Sequence, residues 1–229
     1  MSSMLALALL QLPGVETPEM TFEDIWVGGG WMMWPLLACA LIGLVVIVWK
    51  LVDLTSKGAR TKRVLRDVDA LVSEGRIAEA VETAESSKTP AGRILAEGLR
   101  RADDGTERVI KSIENAGLIE MAKLERGLVV LATVSTVAPL LGFLGTVVGM
   151  IQAFQAIELA GEVEATTVAA GIKVALITTA AGLVIAIPVS IAHNYFVSRI
   201  DRLVIDMEES AQRTIDHLHD REIRRGAPV

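Results

Sequence analysis

The sequence predicts an all-α membrane protein of three spans, with long helices extending from the bilayer into the cytoplasm. Three observations carry this reading. Apolar residues make up 52% of the 229-residue chain and mean hydropathy is +0.47, a balance that suits a bilayer better than a soluble core. Residues 31–49, 127–157 and 174–198 contain no Lys, Arg, Asp or Glu. The segments between them show helical spacing of apolar residues and no alternating strand pattern.

The outer N-terminal segment, residues 1–30, precedes the first span, residues 31–50. A run of 19 uncharged residues, rising about 1.5 Å each, covers about 28 Å, close to one hydrocarbon thickness. Trp31 and Trp34 at one end and Trp49 at the other suit the two interfacial belts. Ahead of the span, residues 21–26 (TFEDIW) read as an interfacial helix capped by Thr21 and ended by Gly28, Gly29 and Gly30. The opening MSSMLALALLQL resembles a signal-peptide core but lacks a basic leader and an A-x-A site. It is expected to remain as an outer segment touching the bilayer. Cys39, the single cysteine, has no intrachain partner for a disulfide and reads as a small packing residue.

Residues 51–126 form a cytoplasmic helical region with clear punctuation. Residues 60–73 place Val64, Leu65, Val68, Leu71 and Val72 at helical spacing, and Gly75 follows as a stop. A second helix covers 76–86. Thr89-Pro90, a cap followed by proline at the first helical position, opens a third at 91–102. Asp103-Asp104-Gly105-Thr106 ends that helix and caps the next. No breaker interrupts the chain from Glu107 to Gly127, so this helix is expected to run straight into the second span, residues 127–157. A short periplasmic loop, 158–167, leads to the third span, 168–198, which continues as a cytoplasmic C-terminal helix over 199–229 with Ile200, Leu203, Val204 and Met207 on one stripe.

The orientation follows from charge. No Lys or Arg precedes Lys50, whereas Lys50, Lys57, Arg60, Lys62, Arg63 and Arg66 crowd behind the first span. The 158–167 loop holds only acids, and the tail carries six Arg. By the positive-inside rule the N-terminus is periplasmic and the middle region and C-terminus are cytoplasmic, as in a bacterial inner-membrane protein. The basic cluster at 60–66 fits contact with anionic lipid. No phosphate loop, nucleophile–base arrangement, cofactor motif or nucleic-acid-binding face is present in the sequence, which points away from an enzyme. His193 reads as an interfacial anchor, and His217 and His219 as residues of a solvated helical tail.

The second and third spans contain residues that an ordinary anchor avoids. Thr133, Ser135, Thr136 and Pro139 precede Gly142, Gly145, Thr146 and Gly149 in the second, and Thr178, Thr179, Gly182 and Pro188 lie in the third. Hydroxyls are costly in hydrocarbon, so they point at another helix or at water. Gly145 and Gly149 form a GxxxG pair that lets helices approach closely. Pro139 frees a backbone carbonyl that must find a partner. Thr146 could line a pore or bond back to its own helix. Thr178 and Thr179 sit about 100° apart, so one can face a pore and the other a neighbouring helix. Lys173, the one charge near a span interior, reads as an outer-interface lysine pairing with Glu158, Glu162 or Glu164, or as an outer-mouth charge that engages a partner's acid.

The block APLLGFLGTVVGM at 138–150, followed by GIKVALITTAAGLVIAIP at 171–188, resembles the two signature spans of the MotA/TolQ/ExbB ion-channel family. Three spans with an outside N-terminus resemble its ExbB/TolQ branch. The resemblance implies a homo-oligomer, a pentamer in this family, built around an ExbD-like single-span protein that carries a membrane aspartate. It implies a motor driven by the proton-motive force, or by sodium, that energises TonB-dependent transport across the outer membrane through a TonB-like protein. It places the ion pathway at Thr146 and Thr179, with Thr178 beside them. Pro139, Gly142, Gly145, Gly149, Gly182 and Pro188 serve helix packing or hinging. A TolQ-like motor, or a non-conducting helical scaffold, is the alternative. One position departs from the family pattern G-I-x-E-A-L, because Val174 stands where the acid is common. No Asp or Glu remains in any span, so a proton cannot ride on a carboxylate of this chain and the work falls to the threonines and the partner.

Overall fold

A computed structural model describes residues 22–226. Among these the chain is helical throughout, with no strand. The leader-like residues and the Thr21 cap lie outside the described residues. A short helix α1 (Phe22–Gly28) and a 3-10 turn (Gly30–Met32) lead into α2 (Met33–Ser73). Two short helices follow, α3 (Ile77–Ser86) and α4 (Pro90–Leu99), and then α5 (Thr106–Glu125), α6 (Leu128–Ala160) and α7 (Ala165–Gly226). Three helical stretches are long and apolar enough to cross a membrane. The first span and the 60–73 helix are one continuous 41-residue rod, because nothing between Lys50 and Arg60 breaks a helix.

The core occupies the extramembrane end. Val68 of α2, Ala80 and Ala84 of α3, Leu95 and Leu99 of α4, Val109 and Ile113 of α5, and Ile200 and Met207 of α7 are buried in one cluster. Small residues on α3 let it lie close to its neighbours. Thr89 caps α4 as its sequence suggests, its Oγ1 accepting from Gly92 N at 3.1 Å with Pro90 at the first turn. The membrane ends present the opposite pattern. Leu44, Val45 and Val48, Phe143 and Phe154, and Leu176, Val184 and Ile191 are exposed, which needs lipid or another subunit as cover.

The continuous helix expected through residue 127 is interrupted. Alpha-helical geometry ends at Glu125, Arg126 turns to ψ 128°, and Gly127 takes φ +92° before α6 begins. Only glycine enters that region freely. A methyl group there would also stand 3.0 Å from the Trp49 ring. The other cause lies far away in sequence. Lys50 is fully buried, and its ammonium donates to the carbonyls of Leu124 and Arg126, the latter at 2.9 Å, with the Trp49 ring 5.7 Å away. Carbonyls in the last turn of a helix have no partner within it, so a cation from the first span supplies one. The charge that marks the inner side in sequence thus acts as a C-cap. Lys50→Met should strand both carbonyls and cost about 2 kcal/mol, within the range for buried unsatisfied groups. Thermal unfolding should show the loss, and hydrogen exchange should rise at residues 124–128.

A second polar contact ties α4 to α5. Glu120 is buried, with Arg93 at 2.5 Å and Lys123 at 2.7 Å. Burial pushes its carboxyl upward, yet the hydrogen bonds from Arg93 and Lys123 outweigh burial and hold it below the ordinary range. A depressed carboxylate gives stability that is present above the ordinary Glu value of about 4.3 and is lost as pH falls through the folded value. Melting temperature should therefore drop as pH is taken below about 4. In Glu120→Gln that acid limb should flatten, and stability at neutral pH should also fall.

Candidate ion pathway

The largest helix–helix contact, between α6 and α7, is built from residues too small to hold the backbones apart. On α6 the buried positions from residue 138 onward are Ala138, Gly142, Gly145, Gly149 and Ala153. On α7, Gly171, Ala175, Thr178 and Gly182 meet them. A methyl group at Gly182 would stand 2.6 Å from the Ala138 carbonyl oxygen, and one at Gly142 would stand 2.8 Å from that of Thr178. One at Gly149 would be 2.8 Å from the Gly171 carbonyl oxygen. Backbone meets backbone here, the arrangement small residues permit in a bilayer. The sequence shows the GxxxG pair; it hides the full stripe, because its partners lie on another helix.

The hydroxyls divide by their position on this seam. Thr178, grouped with the pathway residues on sequence, is wholly buried in this seam. Its Oγ1 donates toward Val174 O (3.0 Å), Ala175 O (3.1 Å) and Gly142 O (3.4 Å), and it fills the notch left by Gly145. Thr179, one position on, is half-buried at the seam edge, donating to Ala175 O at 3.0 Å with Gly142 O at 3.4 Å. Thr146 is also half-buried, next to Gly145, with its hydroxyl on Phe143 O at 2.6 Å. Thr179 packs its Cα on Gly142, so Thr146, four residues farther along α6, lies about 6 Å from it along the seam. Thr133, Ser135 and Thr136 return their hydroxyls to carbonyls of their own helix.

Pro139 and Pro188 sit inside α6 and α7 without ending them. Pro139 removes the bond that the Ser135 carbonyl would accept, and Pro188 does the same for Val184. Val174 is half-buried and packs beside Gly149. Lys173 is exposed, with its stem beside Gly28 at the end of α1. No ion pair with Glu158, which closes α6, or with Glu162 or Glu164, which lie between α6 and α7, is formed among the described residues. His193 is half-buried beside Asn194, and His217, expected on a solvated surface, is 41% exposed with Nε2 3.8 Å from Asp69.

Residues 86–209, which hold both signature spans and more than half of the chain, match the MotA/TolQ/ExbB proton channel family. The chain belongs to that family. It is 36% identical over 177 residues to the biopolymer transport protein ExbB-like 1 of Synechocystis sp., covering 75% of this chain and 68% of that one. It is 30% identical over 182 residues to an ExbB homolog of Methanothermobacter thermautotrophicus, covering 79% of this chain and 64% of that one. Against the Tol-Pal system protein TolQ of Pseudomonas aeruginosa it is 41% identical over 98 residues, 43% of this chain and 42% of that one. The chain thus spans about two thirds of the length of the first two relatives and under half of the third. As a member of the MotA/TolQ/ExbB family it stands among ion-channel and motor subunits, and its three apolar helices fit a multi-pass membrane protein.

Proposed function

We propose that this chain is the ExbB-like subunit of an inner-membrane motor, driven by the proton-motive force, that energises TonB-dependent transport across the outer membrane. It acts as a pentamer around an ExbD-like single-span protein, whose membrane aspartate carries the ion, and it delivers force through a TonB-like protein. The N-terminus faces the periplasm, and the long helical ends lie in the cytoplasm. The observation that carries this reading is the pair of half-buried threonines, Thr146 and Thr179, beside a glycine seam and about one helical turn apart along it. A hydroxyl both donates and accepts, so it passes a proton along a water chain without holding a charge in hydrocarbon. The seam fixes α6 and α7 as one unit, so the threonines face the partner as a set. Lys173, exposed and in no ion pair among the described residues, stands at the outer mouth and engages the partner's acid. Lys173→Gln should weaken coupling to the partner without loss of the folded chain.

A TolQ role is favoured by the 41% identity to the Pseudomonas aeruginosa protein over the signature region, and Val174 in place of an acid favours a scaffold. Deleting the gene separates the readings. Loss of energised uptake through outer-membrane receptors, with normal resistance to detergents, is the expected result. Detergent sensitivity with normal uptake would assign the TolQ role.

A further inference from the structure

Although the chain carries a formal charge of −6, cations concentrate in one cleft between α4 and α5, of about 670 Å³. Arg93, Arg100, Arg101, Arg108, Lys111 and Lys123 line it. The acids that also line it are already engaged. Glu120 holds Arg93 and Lys123, and Glu85 and Glu97 hold Arg100 at 2.7 and 3.6 Å. Those ion pairs fix three of the cations in place. Arg101, Arg108 and Lys111 form no ion pair within 4.0 Å among the described residues, and all three are exposed.

Six cations against three acids leave the cleft lining with a net formal charge of +3, a potential that attracts an anion. From these contacts we infer that the cleft docks an acidic peptide segment of a protein partner. Its length argues for a peptide. From Arg108 to Lys123 the cations run about 22 Å along α5, longer than a small polyanion can reach. Its floor argues the same way, since Ile119 is 57% exposed between the charges and gives an apolar side chain a seat. A lipid headgroup does not fit, because Arg108 and Lys111 lie about 24 Å or more along the helix from Gly127, well past the headgroup layer. The site is separate from the threonine pathway and does not depend on ion conduction.

The test uses the full-length chain in lipid nanodiscs and a fluorescein-labelled peptide of Glu-Glu-Leu repeats, with its Gln-Gln-Leu counterpart and tripolyphosphate as competitors. The acidic peptide should bind in a salt-sensitive manner. Combining Arg101→Glu, Arg108→Glu and Lys111→Glu should weaken binding about tenfold or more, as reversal of close charges does. These side chains form no ion pair within 4.0 Å among the described residues, so helicity should be unchanged. Arg60→Glu with Arg63→Glu, on α2, should leave the affinity intact. Equal binding by the triple variant, equal loss in the α2 variant, or capture of tripolyphosphate with no capture of the peptide would each overturn the proposal.

Discussion

Gly182→Ala is expected to lower the melting temperature of the solubilised chain by about 6–12 °C. Its methyl group would meet the Ala138 carbonyl oxygen at 2.6 Å and the Gly142 Cα at 3.2 Å. Both are backbone atoms, so neither helix can yield without separating from the other. Overpacking a tight contact costs about 1–3 kcal/mol, and the absence of a movable neighbour puts this one at about 3. For a chain of this size each kcal/mol shifts melting by about 2–4 °C. Gly145→Ala should behave differently, because it meets the Thr178 side chain rather than backbone. Adding Thr178→Gly, which removes the obstructing Cβ and hydroxyl, should recover part of the loss despite the added glycine's helix penalty of about 1 kcal/mol. Gly117→Ala is the control. No atom lies within 4 Å of the new methyl group, so it should gain about 0.5–1 kcal/mol from helix propensity.

Thr179→Val is expected to reduce energised uptake about tenfold or more while leaving assembly and melting temperature nearly unchanged. Valine keeps the volume of threonine and removes a hydroxyl able to pass a proton or coordinate an ion. Thr178→Val should give the reverse. It loses a buried hydroxyl that bonds to α7 and reaches Gly142 O across the seam. A cost of about 1 kcal/mol fits such a bond, and activity per folded molecule should persist. Adjacent threonines with opposite phenotypes would separate packing from conduction.

Fold class and the span count were legible because both rest on local signals. Uncharged runs give the spans, and Thr89-Pro90 gives one helix start with its mechanism. What escaped was long-range. Gly127 marks a boundary in sequence, but the break at that point also depends on Lys50, more than seventy residues away. Lys50 reads in sequence as a flanking cation because no linear pattern reports burial. Thr178 and Thr179 are indistinguishable by type, and only the rotation of α7 against Gly142 and Gly145 puts one inside the seam and the other at its edge. The cleft between α4 and α5 draws cations from two helices, so no run of basic residues announces it.

Ion flux tests the central claim most directly. The chain would be placed in liposomes with its single-span partner, and proton and sodium gradients applied in turn. Proton flux should appear in the wild type and fall in Thr179→Val while the complex stays assembled. An intact, partner-loaded complex that holds both gradients, or flux equal in wild type and Thr179→Val, would contradict the claim.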